Sequence, residues 1–176
     1  AGKRVELEKL MRGLIIQSGN DAAIAISEHI AGSQSAYVER MNQVAVELGM
    51  KDTHYSNVTG WPAENHYTTA RDIAILAKAI ISEFPDRYKL YSEKEFTYNK
   101  IRQYNRNKLL FRDPTVDGMK TGFTDKAGYC LVASAKREDT RLISIMLGTA
   151  SEDARAENSQ RLLEYGFRTF ETHKMY

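Results

Sequence analysis

The 176 residues carry 25 lysines and arginines against 23 aspartates and glutamates, for a net charge of +2. That balance, with no block of like charge and no aromatics interleaved with basic residues, excludes an electrostatic nucleic-acid face. With 42% hydrophobic residues the chain is long enough for one domain with a sizeable core, and no apolar run approaches bilayer-spanning length.

In chain order, Leu7, Leu10, Met11, Leu14 and Ile15 share one face of a short amphipathic helix, which the turn-prone Ser18-Gly19-Asn20 stops. Asp21 opens a second helix running to about Ile30, apolar nearly all round and therefore expected to be buried. Gly32-Ser33 breaks it. A third helix places Tyr37, Met41, Val44 and Leu48 together and closes at Gly49, a C-terminal cap. Residues 51–66 read as irregular. Thr69-Ala70-Arg71-Asp72 then resembles a capping box ahead of a helix bearing Ile73, Leu76, Ala77 and Ile80, which Phe84-Pro85 ends.

The period then changes. Phe96-Thr97-Tyr98 and Ile101 to Tyr104 flank Asn99-Lys100 as a hairpin. Strand-like segments follow at Met119 to Thr124, Tyr129 to Lys136 and Arg141 to Leu147, the last two joined by a tight turn at Arg137-Glu138-Asp139. A final helix from about Asp153 to Phe170 turns Ala156, Leu163, Phe167 and Phe170 inward. Helices, then antiparallel strands, then a covering helix make an α+β plan. Its helical part covers about residues 5–92, its hairpin and sheet part about 93–150, and its covering helix about 153–170. The single cysteine, Cys130, excludes an internal disulfide and reads as a small buried hydrophobe in its apolar run.

Two tripeptides carry chemistry: Ser18-Gly19-Asn20 and Lys120-Thr121-Gly122. Each alone has a bland reading, a helix stop with an N-cap for the first and a strand end for the second. Together they are expected by chance about once in a thousand chains of this length. A lysine entering an interior strand is costly unless it faces a cleft, and Gly122 lets a substrate backbone lie against the strand. A hydroxyl, an amide and an ammonium converging on one cleft suit acyl transfer to a serine. The ammonium orients a carboxylate, the hydroxyl relays a proton, and the amide holds the acyl side.

On these motifs the sequence resembles the low-molecular-mass, serine-type D-alanyl-D-alanine carboxypeptidases of the penicillin-binding family, whose motifs are Ser-x-x-Lys, Ser-x-Asn and Lys-Thr-Gly. The likeness begins at Gly2 to Val5 and Leu14 to Ala22. It continues through Met41-Asn42, Leu48 to His54 and Ala70-Arg71-Asp72, is strongest at Val116 to Gly122 and Ala127-Gly128-Tyr129, and closes at Tyr165 to Glu171. It implies a β-lactamase/transpeptidase-like α+β fold spanning 1–176 as a partial catalytic domain, with no metal and no cofactor. It gives the catalytic roles to Ser18, Asn20 and Lys120. Thr121, Gly122 and Phe123 would line the substrate, Phe123 through its backbone N–H at the oxyanion hole, and Arg155 would hold the terminal carboxylate. By itself, Arg155 reads as a solvated residue near a helix start. Phe123 and Thr59 both stand where some relatives have His.

None of the eleven serines is followed by lysine three positions on. In the family that motif lies N-terminal to Ser-Gly-Asn, on a helix preceded by a β-hairpin. Ala1-Gly2-Lys3-Arg4-Val5 has no initiator Met, so an engineered start or a cleavage product is expected rather than a native N-terminus. The implied partners are peptidoglycan stem peptides ending in D-Ala-D-Ala and β-lactams, in the cell envelope outside the cytoplasmic membrane. Two rivals stand beside this reading. A serine β-lactamase would use Glu95-Phe96-Thr97-Tyr98-Asn99 in place of Glu-x-x-Leu-Asn, but these residues sit in hairpin sequence with Tyr for Leu. A non-catalytic module of the same fold would bind wall peptide without chemistry. The missing Ser-x-x-Lys favours that module; Lys120-Thr121-Gly122 and Arg155 oppose it.

Overall fold

A computed structural model describes residues 3–172 of the chain; Gly2, where the family likeness begins, lies outside them. Four helices come first: α1 (Leu7–Gln17), α2 (Asn20–Ala31), α3 (Gln34–Glu47) and α4 (Ala70–Glu83). A short α5 (Pro85–Tyr88) and a 3-10 turn (Lys89–Ser92) lead into the hairpin β1 (Glu95–Tyr98) and β2 (Ile101–Tyr104). After α6 (Leu109–Arg112) come β3 (Val116–Thr124), β4 (Gly128–Arg137), β5 (Thr140–Thr149) and α7 (Glu152–Thr169).

The local signals act as physics requires. Asn99 and Lys100 both take positive φ, 49° and 66°, the primed-turn geometry that matches the twist of a two-residue hairpin. Ser33 and Thr69 cap α3 and α4, accepting hydrogen bonds from the N–H groups of Ala36 and Asp72. The box at Thr69 is not reciprocal. The buried Asp72 carboxylate instead accepts from Asp52 N (2.8 Å) and Thr53 Oγ1 (2.7 Å). Asn42 pins the other side of that irregular segment, bonding both N and O of Tyr55 at 2.7 and 2.8 Å.

β3, β4 and β5 form one antiparallel sheet in that order. Leu131, Ala133 and Ala135 of β4 pack with Ala156 and Leu163 of α7 and with Leu109 and Leu110 of α6. A second cluster joins Ala77 of α4, Tyr88 and Met119 to Val132 and Ile143. Helices therefore lie on both faces of the sheet. α7 approaches closely because Gly166 has no Cβ; one there would lie 2.6 Å from Leu142 Cδ1.

Three expectations need correction. α2 buries Ala22, Ala23, Ile26 and Ser27 but leaves Ile30 58% exposed, because helices meet it from one side only. Phe170 is 59% exposed and follows the end of α7 in extended conformation, so the helical spacing that would turn it inward no longer applies. β3 begins at Val116, three residues before the expected Met119, with a register shift between Val116 and Gly118 that breaks the alternation. Among the described residues no helix is long and apolar enough to cross a membrane.

Candidate active site

The turn between α1 and α2 is two residues long. Ser18 N–H donates to Leu14 O (3.0 Å) and Gly19 N–H to Gly13 O (3.2 Å), the double closure of a Schellman-type helix end. That closure places Ser18 at φ 57°, ψ 42°, a left-handed conformation costing a residue with a Cβ about 1 kcal/mol. Ser18 is half-buried. The N-cap of α2 is Gly19, without a side-chain acceptor, and Asn20 is the first helical residue with an exposed side chain. The tripeptide is thus a helix stop followed by an N-cap, with Gly19 and not Asn20 in the cap position, which leaves the Asn20 side chain free of a capping role.

Lys120 reaches Ser18 from the middle of β3. Its Nζ donates to Ser18 Oγ and, at 2.8 Å, to the carbonyl of Thr121. Among the described residues it makes no ion pair with a carboxylate. Burial, followed by repulsion from Arg106 and Arg155, pushes the ammonium down to about 8. A half-buried cation with two cationic neighbours concentrates positive charge, which favours an anion beside it. Thr121 is buried next to it, and Gly122 leaves that stretch of strand open.

Arg155 lies in the first turn of α7, behind the N-cap Ser151. It is 4% exposed, which corrects the reading of a solvated residue. Its Nη1 donates to Gly122 O at 3.2 Å, its guanidinium stands 5.5 Å from the Tyr129 ring centroid, and Glu152 is 3.9 Å from Nη2. Burial draws its pKa down, partly offset by Glu152. The Phe123 ring, half-exposed, lies 4.2 Å from the Tyr129 ring. Phe123 therefore packs against the ring that carries Arg155, a side-chain contact not expected for a residue assigned only a backbone role. Cys130 is half-buried rather than buried, since it pairs across the strands with side-chain-less Gly122.

Ser18, Lys120 and Arg155, 137 residues apart at the extremes, are thus arranged along one strand, with Asn20 one helical step beyond Ser18. Sequence reasoning did not single out Arg106, whose charge acts on both Lys120 and Arg155. It also missed Asp117 and Arg141. Arg141 clasps Asp117 with both guanidinium ends (2.8 and 2.7 Å), while Tyr88 donates to the same carboxylate at 2.9 Å. An Asp before a glycine carries a turn signal in sequence, and that signal hid an ion pair between strands.

Residues 1–151 match the family profile described as D-alanyl-D-alanine carboxypeptidase, Peptidase S11. The chain belongs to that family. It is 50% identical over 172 residues to the D-alanyl-D-alanine carboxypeptidase DacC of Escherichia coli, covering 97% of this chain and 43% of that protein. Its identity to DacF of Bacillus subtilis is 39% over 180 residues, covering 99% and 46%. Penicillin-binding protein 5 from Haemophilus influenzae superposes with a TM-score of 0.92 at 46% identity, over 94% of this chain and 49% of that one. Penicillin-binding protein D2 from Listeria monocytogenes, in its ampicillin-bound form, gives a TM-score of 0.87 at 31% identity, over 94% and 69%. The chain spans less than half the length of the two curated relatives named here. Its fold is α+β of the penicillin-binding, DD-transpeptidase type.

Proposed function

We propose that these residues form the larger part of the acyl-transfer site of a serine D-Ala-D-Ala carboxypeptidase, working on peptidoglycan stem peptides in the cell envelope. The observation that carries this reading is the contact of the Lys120 ammonium with the Ser18 hydroxyl, beside the buried Arg155 and, among the described residues, with no carboxylate paired to Lys120. Such a cluster takes an anion, and a peptide ending in a free carboxylate supplies one.

Each group then has a task. Arg155 and Lys120 draw in the terminal carboxylate along Thr121 and Gly122. The scissile carbonyl lies against β3, where the Phe123 N–H donates to the developing oxyanion. Asn20 holds the acyl side. The Ser18 hydroxyl, bonded to Lys120, passes a proton to the departing D-Ala amine; an ammonium depressed to about 8 exchanges protons readily near neutral pH. The acylated serine belongs to a Ser-x-x-Lys segment, which these 176 residues do not contain, and β-lactams acylate that serine as mimics of the substrate. The subdivision into helical, sheet and covering-helix parts serves this site, since the helical part delivers Ser18 and Asn20 and the sheet delivers Lys120.

The test is labelling by a fluorescent penicillin in the protein that joins this chain to its Ser-x-x-Lys segment. The parent is expected to label and a folded Lys120→Ala variant to lose most labelling. Near-normal labelling of that variant would refute the assignment.

A further inference from the structure

The Ser18–Lys120 contact joins an interhelical turn to a strand 102 residues away, so its geometry is only as good as the frame between them. The segment 104–107, from the last residue of β2 into the irregular stretch before α6, bridges the two. At its first end, Gln17 Nε2 donates to Tyr104 O at 2.7 Å and Arg106 N–H to Ile16 O at 3.4 Å, both at the end of α1 next to Ser18. In the middle, Asn105 is fixed by two bonds to the chain before β1. Its N–H donates to Lys94 O (2.8 Å) and its Nδ2 to Glu93 O (2.9 Å). At the far end Asn107, 0% exposed, donates Nδ2 to Gly118 O at 3.1 Å. Gly118 stands two residues before Lys120. Its other side is closed by Tyr88, whose hydroxyl would clash with any Cβ at Gly118.

The chemistry of the Asn107 amide is specific. While Nδ2 donates to Gly118 O, Oδ1 accepts from Leu109 N at 3.1 Å, and the Asn107 N–H donates to Asn105 Oδ1 at 2.9 Å. One short side chain must donate and accept at once, which an ionised Asp cannot do and a Ser cannot span. In a fully buried place every one of these bonds counts, because the group left behind is an orphaned backbone polar atom.

We propose that Asn107 is a positioning residue of the acyl-transfer site, acting through Gly118 to hold Lys120 at hydrogen-bonding distance from Ser18. The inference rests on the functional reading of Ser18 and Lys120 given above. It accounts for a fully buried side-chain amide within a stretch, Asn105-Arg106-Asn107, that belongs to no helix or strand. A displacement of about 1 Å in such a frame costs up to about a hundredfold in rate.

The experiment compares Asn107→Ser and Asn107→Asp with the parent and with Lys120→Ala, in the protein that joins this chain to its Ser-x-x-Lys segment. Asn107→Ser keeps an acceptor for Leu109 N and removes the donor to Gly118; Asn107→Asp keeps the shape and reverses the polarity. Benzylpenicillin is the probe, and stopped-flow kinetics separate the saturating acylation rate from the half-saturation concentration. The lysine Nζ titration is followed by NMR with 13Cε-labelled lysine, the Lys120 signal being assigned by its absence in Lys120→Ala. Expected are a saturating rate at least about tenfold lower, a half-saturation concentration within about twofold, and a Lys120 titration displaced from that of the parent, with circular dichroism unchanged. A folded variant with the parent's rate and the parent's Lys120 titration overturns the proposal, as does loss of folding in both variants, which would make Asn107 a folding residue. If Lys120→Ala itself acylates normally, the functional reading fails, while the Lys120 titration still reports whether Asn107 positions that ammonium.

Discussion

Replacing Lys120 by Met tests the electrostatic character of the site through stability rather than rate. The ammonium titrates at about 8 instead of its ordinary 10.5 because burial comes first, with Arg106 and Arg155 adding repulsion. The difference corresponds to about 3 kcal/mol of unfavourable interaction in the folded state. The sign follows from proton uptake. Below pH 8 lysine is charged in both states and the folded state bears the full cost. Between about 8 and 10.5 the unfolded chain holds a proton that the folded chain has lost, so stability rises with pH across that window. Met removes the charge and keeps most of the length. It also deletes the bonds to Ser18 Oγ and Thr121 O, which offsets about 1–2 kcal/mol. The net expectation is a gain of about 1–2 kcal/mol at pH 7 that vanishes or reverses by pH 10.5. Urea unfolding of parent and variant at half-unit pH steps reads the difference, which cancels the other titrating lysines and tyrosines. If the two stability curves run parallel from pH 7 to 10.5, Lys120 is an ordinary lysine and the account of the site as a strained cation cluster is wrong.

Arg155→Ala in the protein carrying the nucleophile should lower kcat/KM for a D-Ala-D-Ala peptide by about ten- to a hundredfold, through loss of a charge-assisted contact; steady-state kinetics equal to the parent's would return Arg155 to a packing role. Ser18→Ala and Ser18→Gly both remove the hydroxyl, but at φ 57° the glycine variant should be the more stable by about 1 kcal/mol. Thermal unfolding checks the order, and alanine as the more stable of the two would contradict the left-handed turn.

Sequence periodicity located the helices and strands where one physical cause dominates. Leu10 to Ile15 and Ile73 to Ile80 face one side because a 3.6-residue period meets a core on that side, whereas Leu7, at the first turn, stays exposed; Asn99-Lys100 turns because a two-residue hairpin needs positive φ. The signal failed where two causes compete. Ile30 lies in an apolar helix but beyond the reach of its neighbours, and Val116 to Gly118 joined β3 against a turn-like Asp-Gly pair and a register shift. Arg155 shows the limit most plainly. Its place in the first turn of a helix argues for solvent, and only the tertiary approach of Gly122 O and the Tyr129 ring accounts for its burial.

The same contrast separates the two kinds of site residue. Ser18, Asn20, Lys120, Thr121 and Gly122 are legible because they fall in short motifs, to which the proposed function gives the substrate contacts. Asn107, Asp117, Arg141 and Tyr88 carry no motif, because their partners are fixed by tertiary contact and lie 11 to 29 positions away in sequence. Lys120 stands close to two other cations while bonding Ser18 Oγ, in a left-handed turn, and Thr121 O. Repulsion from Arg106 and Arg155, second to burial as the cause of its lowered pKa, works against that arrangement. Two contacts fix Gly118, two residues before Lys120: the Asn107 amide donates to its carbonyl, and the Tyr88 hydroxyl, bonded to Asp117 and through it to Arg141, leaves no room for a Cβ there. On the proposed reading, the reacting groups are written in tripeptides, and the frame that positions them is written in hydrogen bonds that no local pattern announces.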